Sequence, residues 1–117
     1  LLPYLRTLEA ETLASAGRSG EALGRIEAAL EECEVSGQAW CSAEIHRMRG
    51  VILGQRDAAS LAAAEADLRR ACEIARGQGA LAWERRAATS LAELWTRSGR
   101  SEEAGALMAG LPSPAAG

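Results

Sequence analysis

Apolar side chains recur every three or four positions in several segments of the chain, and glycine-containing turns separate these segments. In one of them, Ala88, Leu91 and Trp95 fall at i, i+3 and i+7, a spacing that places side chains on one face of an α-helix. Charged residues occupy many of the remaining positions, so each helix can bury one face and keep the other in water. The pattern predicts helices in segments 20–36, 39–54, 60–77 and 80–97.

The ends of these helices carry their own signals. Ser19 and Ser101 stand where an N-cap belongs, because a serine side chain can accept hydrogen bonds from the first helical turn. Gly77 or Gly79 can adopt the left-handed conformation that ends a helix. A last helix after Ser101 should be short because two prolines soon follow it, and residues 112–117 are predicted to be a tail or linker.

The chain repeats its own pattern with a period of about 40–42 residues. Each unit has a small residue, a large residue three positions later, and a second small residue in the following helix with a large one four positions beyond it. Small residues let two helices approach closely, large ones fill the space between hairpins, and a turn glycine permits a sharp reversal. Because a helical hairpin cannot bury both of its faces alone, such units stack on one another. The repeat positions are Ala10, Leu13, Gly17, Ala22 and Ile26 in the first unit, Gly50, Leu53, Ala64 and Leu68 in the second, and Ala92, Trp95, Gly99, Ala104 and Met108 in the third.

This pattern resembles the tetratricopeptide repeat (TPR), whose units have the same order of small residue, large residue, turn glycine and alanine. The resemblance covers residues 1–111. It implies an all-α, TPR-like α-solenoid in which three antiparallel helical hairpins, at about 1–37, 38–78 and 79–111, form a right-handed stack. The usual period is about 34 residues, so the period of about 40–42 in this chain implies helices that are one to two turns longer.

Three stretches carry a narrower resemblance: AEIHRMRG at 43–50, AEADLRRACEIAR at 64–76 and WERRAATSLAELW at 83–95. They are similar to the C-terminal TPR region of large bacterial signal-transduction proteins, over about residues 40–108. In that family the repeats follow an ATPase module, often with an N-terminal nucleotide-cyclase or winged-helix DNA-binding domain. The resemblance therefore implies a part in signal transduction or transcription regulation. The missing initiator Met likewise suggests a part excised from a longer protein.

The TPR resemblance also implies a concave groove, lined by the first helix of each hairpin. Its lining positions fall three and six residues before the first small residue of a unit, and one and five after it. Three arginines among them could hold carboxylates or phosphates; alternatively, the charged residues of this surface pair with one another. The groove positions are Tyr4, Thr7, Glu11 and Ser15 in the first unit, Glu44, Arg47, Val51 and Gln55 in the second, and Arg86, Thr89, Glu93 and Arg97 in the third.

The amino-acid composition excludes several classes of partner for such a groove. The chain has no Lys, Phe or Asn, and all 13 basic residues are Arg. The chaperone-binding class of these repeats clamps a C-terminal carboxylate with Lys and Asn, so that class is not expected. A net charge of −3 disfavours nucleic acid as a partner. No apolar run approaches the ~20 residues that a membrane span needs, so no membrane partner is expected either.

Residues that could carry chemistry are sparse. His46 is the single histidine, and no carboxylate–histidine cluster surrounds it in the sequence. Cys33, Cys41 and Cys72 show no C-x-x-C spacing, which favours reduced thiols packed as small hydrophobic residues in a cytoplasmic protein. No nucleophile elbow, phosphate-binding loop or dinucleotide fingerprint occurs. We therefore expect no enzymatic activity, no cofactor and no metal.

The leading hypothesis is a non-catalytic module that binds a protein or peptide segment, or a neighbouring domain of its own chain. Such binding would regulate an upstream ATPase, cyclase or DNA-binding domain. Self-association into a homodimer is one alternative, and a groove that senses a small molecule is another. Trp40 and Trp83 stand near the starts of the second and third hairpins, where they are expected to pack across inter-repeat turns or, alternatively, to anchor a partner.

Overall fold

A computed structural model describes residues 9–13, 15–36 and 41–111, and all regular secondary structure in these residues is helical. The all-α fold class predicted from the sequence is therefore confirmed. None of the helices in the described part combines the length and the apolar content that crossing a bilayer requires. Residues 9–13 and 15 are helical and are called α1. The other helices are α2 (Ser19–Ser36), α3 (Ser42–Arg56), α4 (Leu61–Gly77), α5 (Leu81–Arg97) and α6 (Ser101–Ala109), with a 3-10 turn at Ala58–Ser60 before α4.

The observed helices follow the predicted segments closely. Helices α2, α4 and α5 begin and end within one residue of the predicted bounds, and α6 has nine residues. Helix α3 begins at Ser42 and ends at Arg56, so it continues two residues beyond the predicted end at Gly54, which lies inside the helix. A Cβ atom at Gly54 would come within 3.1 Å of the Leu94 Cδ1 atom. The small residue therefore permits close packing of two helices and does not end one.

Three turns contain a glycine in the left-handed region. Gly17, Gly79 and Gly99 have φ values of +80°, +67° and +82°, a region that favours glycine because it has no Cβ atom. In each turn the residue after the glycine donates its N–H to a carbonyl five residues earlier, which is the bond of a Schellman helix ending. The interval of four residues between the large residue and the glycine of a repeat unit is the spacing of this ending. The bonds join Arg18 N to Leu13 O (2.9 Å), Ala80 N to Ala75 O (2.9 Å) and Arg100 N to Trp95 O (2.7 Å).

The N-cap prediction for Ser19 and Ser101 is wrong by one residue. Both serines are the first residues of their helices, and the residue before α6 is Arg100, which makes no side-chain cap bond. The backbone N–H groups of Ala22 and Ala104 donate to the carbonyls of Arg18 and Arg100, at 3.0 and 3.1 Å. Because the preceding Schellman ending finishes at the arginine, the arginine takes the cap position. Its side chain pairs with the glutamate three residues later in both helices.

The repeat residues that were expected to be small lie where helices touch. Each helix packs against its neighbours in the sequence from α2 to α6, and α3 also contacts α5, the first helix of the next hairpin. Small residues are buried in these contacts, which lets the helix axes approach. Leu13 is half-buried, and Gly17 and Gly99 are exposed in their turns. The buried repeat residues are Ala10, Ala22, Gly50, Leu53, Ala64, Leu68, Ala92, Trp95 and Ala104.

The last hairpin leaves one repeat position uncovered. Ile26 and Leu68, on α2 and α4, are 0% and 1% exposed, whereas Met108 at the same position on α6 is 36% exposed. Within the described residues, no helix follows α6 to cover it. The predicted tail at 112–117, and the predicted groove residues Tyr4 and Thr7 with Trp40, lie outside the described residues.

Gly50 offers a test of the close contact between α3 and α4. A Cβ atom there would lie 2.6 Å from Leu68 Cγ and 3.0 Å from the Ala64 carbonyl oxygen. Overpacking of this kind costs about 1–3 kcal/mol, which exceeds the gain of about 1 kcal/mol from replacing a helical glycine by alanine. We expect Gly50→Ala to lower the free energy of unfolding in urea by up to about 2 kcal/mol, the overpacking cost less the propensity gain.

Gly24 supplies the matched control for this substitution. It also lies inside a helix, but a Cβ atom there would meet nothing within 4 Å. Gly24→Ala should therefore stabilise the protein by up to about 1 kcal/mol. The same stabilisation in Gly50→Ala would mean that α3 and α4 do not approach as closely as described.

Candidate functional site

Helices α1, α3 and α5 together enclose a cavity of about 230 Å³, called here the groove cavity. Six of its eight lining residues are groove positions that the TPR resemblance implied. They come together because residues four apart on a helix share a face. Met48 and Ile52 add apolar surface. The six predicted residues are Glu11 and Ser15 on α1, Arg47, Val51 and Gln55 on α3, and Arg86 on α5.

The other groove positions within the described residues do not line this cavity. Thr89, Glu93 and Arg97 line a second depression of about 390 Å³, together with Met108 of α6. Glu44 is buried and does not line either cavity. The predicted groove residues of the third unit therefore lie in two different sites. Arg86, near the start of α5, lies beside α3, whereas Thr89, Glu93 and Arg97, further along α5, lie beside Met108 of α6.

Glu44 is the centre of a buried ion-pair network under the groove cavity. Its carboxylate accepts hydrogen bonds from Arg47 Nε (2.9 Å) and Nη2 (2.6 Å), the two-point geometry that suits arginine. Arg47 Nη1 donates to Ser90 Oγ at 3.2 Å, and Arg86 Nε lies 3.1 Å from Glu44 Oε1. Glu44 therefore pairs with both Arg47 and Arg86, which agrees with the alternative interpretation that charged residues of this surface pair with one another.

The network leaves a defined set of groups for a ligand. The Arg47 guanidinium already bonds to Glu44 and Ser90, so its role is to fix the wall of the cavity. Arg86 is 58% exposed, so its guanidinium is accessible to a ligand although its Nε lies 3.1 Å from Glu44 Oε1. Glu11, Ser15 and Gln55 are exposed at the rim and add a carboxylate, a hydroxyl and an amide. The cavity can therefore accept a group that both donates and accepts hydrogen bonds.

A second cluster of charged side chains joins α4, α5 and α6 around Trp95. Glu65 accepts hydrogen bonds from Trp95 Nε1 (2.9 Å), from Arg69 Nε (3.0 Å) and from Arg100 Nη1. The guanidinium carbons of Arg69 and Arg100 lie 5.1 and 4.9 Å from the centre of the Trp95 ring, within cation–π range. The bond from Trp95, with those from the two arginines, lowers the pKa of Glu65 to about 2. Sequence spacing indicates only the Glu65–Arg69 pair, because the other partners come from distant helices.

Stability should depend on pH through Glu65. Its folded-state pKa of about 2 lies below the ordinary value of 4.5, so its contribution is present above pH 4.5 and is lost as the pH falls toward 2. The side chain is 25% exposed, so we expect a loss of about 1–2 kcal/mol after screening. Urea unfolding between about pH 6 and pH 2.5 would measure it, and Glu65→Gln should remove this part of the acid sensitivity. Glu73→Gln, which changes an exposed glutamate of α4, should keep it; a Glu65→Gln profile parallel to that of the unchanged protein would contradict the expectation.

His46 has a carboxylate neighbour that sequence spacing does not reveal. Its Nδ1 atom lies 3.2 Å from Asp67 Oδ1, and Arg49 Nε lies 3.6 Å from the other oxygen of Asp67. Asp67 is on α4, 21 residues away, so the position of His46 in the sequence does not indicate this pair. Within the described part of the chain, no three His, Cys, Asp or Glu side chains converge as a metal site would require.

Trp83 is half-buried at the start of α5.

Comparison with known proteins finds similarity between this chain and a short part of a much longer protein. No protein-family model matches it, and no solved structure matches it. The chain is 40% identical over 99 residues to an uncharacterized protein of Rhizobium meliloti (strain 1021). The match covers 85% of this chain and 10% of that protein, so the chain spans about a tenth of the length of its relative. In that bacterium the similar segment is one part of a much larger polypeptide.

Proposed function

We propose that the chain is a non-catalytic interaction module with a TPR-like solenoid architecture, and that the groove cavity binds a polypeptide segment. The segment belongs to a partner protein or to a neighbouring domain of the same polypeptide. Its binding regulates an upstream ATPase, cyclase or DNA-binding domain in the bacterial cytoplasm. The observation that carries the proposal is the convergence on one cavity of six groove positions from the alternate helices α1, α3 and α5.

The architecture of the described helices supports the TPR-like part of this proposal. Consecutive helices pack against each other, and the first helix of the second hairpin also contacts the first helix of the third. Gly17 in the first unit and Gly99 in the third occupy the same repeat position, and both have the left-handed conformation. The long relative in Rhizobium meliloti, of which the similar segment is about a tenth, supports the idea of one module within a larger polypeptide.

The size and chemistry of the groove cavity favour a peptide over a free small molecule. Its volume of about 230 Å³ is smaller than the roughly 300–1,000 Å³ of typical small-molecule sites. That volume suits one or two side chains of a bound peptide. The exposed guanidinium of Arg86 favours an acceptor group on that peptide, and Glu11 favours a donor.

A peptide library displayed on phage would test this proposal. We expect the chain to enrich peptides whose affinity falls by at least about tenfold in Arg86→Gln or Gln55→Ala, the loss typical of one good hydrogen-bonding contact. Arg70→Gln, on the exposed side of α4 and away from the cavity, is the matched control and should leave the affinity unchanged. Fluorescence anisotropy with the enriched peptides measures all four proteins.

Two results of these binding experiments would contradict peptide binding in the groove cavity. Enriched peptides that bind equally to all variants would move the site away from the groove. A thermal shift with sugars, nucleotides or amino acids, in a protein that enriches no peptide, would favour the small-molecule sensor.

Self-association is supported by a separate observation, the exposure of Met108. This residue occupies a position that is buried in the other two hairpins, so a second copy that covered it would complete the pattern. Size-exclusion chromatography with light scattering should then detect a dimer that Met108→Arg returns to a monomer. A strict monomer at high concentration would remove this candidate.

A further inference from the structure

Two cysteine side chains from consecutive helices meet in the core. Cys33 lies in the last turns of α2 and Cys41 lies directly before α3, and their Sγ atoms are 3.3 Å apart. Both side chains are buried in the same apolar cluster, with Ile26 and Ile45. Their sequence separation of eight residues has no meaning as a motif, so only the packing of α2 on α3 brings the two thiols together.

We propose that Cys33 and Cys41 form a reversible disulfide bond in the presence of a small-molecule disulfide such as oxidised glutathione, and that this bond fastens α2 to the start of α3. The inference is independent of the proposed groove function. It assigns to this thiol pair a modification that sequence spacing does not suggest.

The reaction is thiol–disulfide exchange in two balanced steps. One cysteine thiol releases its proton to water, its thiolate attacks a sulfur atom of oxidised glutathione, and one glutathione thiolate leaves. The second cysteine releases its proton and attacks the protein sulfur of this mixed disulfide, and the second glutathione thiolate leaves. The protein loses two electrons and two protons in total, and oxidised glutathione is reduced to two molecules of glutathione.

The surroundings of the pair determine how readily the two thiols react. Burial, with the neighbouring Cys41, raises the pKa of Cys33 to about 12, so its thiolate is scarce. Because both thiols are buried, oxidation of the native protein requires a transient opening between α2 and α3 and is slow.

The bond would act on the helix that carries most of the groove cavity. Cys41 immediately precedes α3, whose residues Arg47, Val51 and Gln55 line that cavity. Fastening this end of α3 to α2 removes one way in which the helices can separate. Oxidation should therefore raise the melting temperature.

The test compares the thiol pair with Cys72, which is also buried but belongs to a different apolar cluster. The Cys72→Ser variant is equilibrated in glutathione redox buffers, both folded and in concentrated guanidinium chloride, and then quenched with acid. Alkylation in denaturant followed by intact-mass measurement counts the remaining thiols. We expect the folded variant to become lighter by two hydrogen atoms, with no thiol left, at a glutathione disulfide level at least about tenfold lower than the unfolded chain needs.

The single-cysteine controls separate bond closure from simple glutathione addition. Cys33→Ser and Cys41→Ser, each in the Cys72→Ser background, should take up one glutathione and show no increase in melting temperature. Equal oxidation of folded and unfolded chains would overturn the proposal, because the fold would then contribute nothing to closure. A folded Cys72→Ser protein that stays as the mixed glutathione adduct would overturn it as well.

Discussion

Replacing Glu44 by alanine is expected to lower the free energy of unfolding by about 3–5 kcal/mol, the usual cost of removing one partner from a buried ion pair. The Glu44 side chain is 6% exposed, and its carboxylate holds Arg47 by two hydrogen bonds and approaches Arg86. In the variant, the Arg47 guanidinium stays buried without a counter-charge. Urea unfolding followed by circular dichroism would measure the loss.

The pair between Arg18 and Glu21 provides a control with the same geometry and different burial. Its two hydrogen bonds measure 2.9 and 2.6 Å, as in the buried pair, but its side chains are 57% and 55% exposed. Glu21→Ala should therefore change the stability by no more than about 1 kcal/mol. Similar losses in Glu44→Ala and Glu21→Ala would show that burial does not decide the strength of these pairs.

A double substitution separates the ion pair from the packing around it. In Glu44→Leu combined with Arg47→Met, both charges are removed and the apolar volume is largely kept. Such replacements are often neutral, so we expect the double variant to recover most of the stability that Glu44→Ala loses. The same variant should lose peptide binding if the Glu44 network holds Arg86 at the groove cavity.

Leu68→Ala should cost about 2–5 kcal/mol, the range for truncating a fully buried leucine. Leu68 is 1% exposed and lies in the contact with Gly50 of α3, so its removal leaves a cavity between α3 and α4. Met108→Ala changes the equivalent position of the last hairpin, which is 36% exposed, and should cost less than about 1 kcal/mol. Thermal and urea unfolding of both variants make the comparison.

The Met108 variant also reports on what covers α6. A large loss of stability that grows with protein concentration would mean that a second copy buries Met108 in solution. A large loss that is independent of concentration would contradict the exposed position of this side chain. A small loss in Leu68→Ala would contradict the close packing of the second hairpin.

Sequence patterns were most informative where the relevant interaction is local. The period of apolar residues predicted the helices to within one residue at α2, α4 and α5, since a helix face is set by residues three and four apart. The TPR resemblance, and not this period, implied the groove positions Glu11, Arg47 and Arg86, which meet in the groove cavity. What the groove binds stays a prediction. The N-caps were missed at Ser19 and Ser101 because the preceding glycine turn shifts the cap to the arginine.

Local pattern alone determined the all-α class, the helix lengths and the residues that can share a face of each helix. Only the tertiary structure decided that Glu44 is buried under the groove, that Trp95 binds Glu65, and that Cys33 touches Cys41. The partners in the first two cases come from helices far apart in the chain, with Arg47 and Ser90 separated by 43 residues and Glu65 and Trp95 by 30. Such contacts depend on how each helix rotates and shifts against its neighbours. Periodicity states which side of a helix is buried, but it does not state which polar atom will face which, because that requires the relative placement of whole helices.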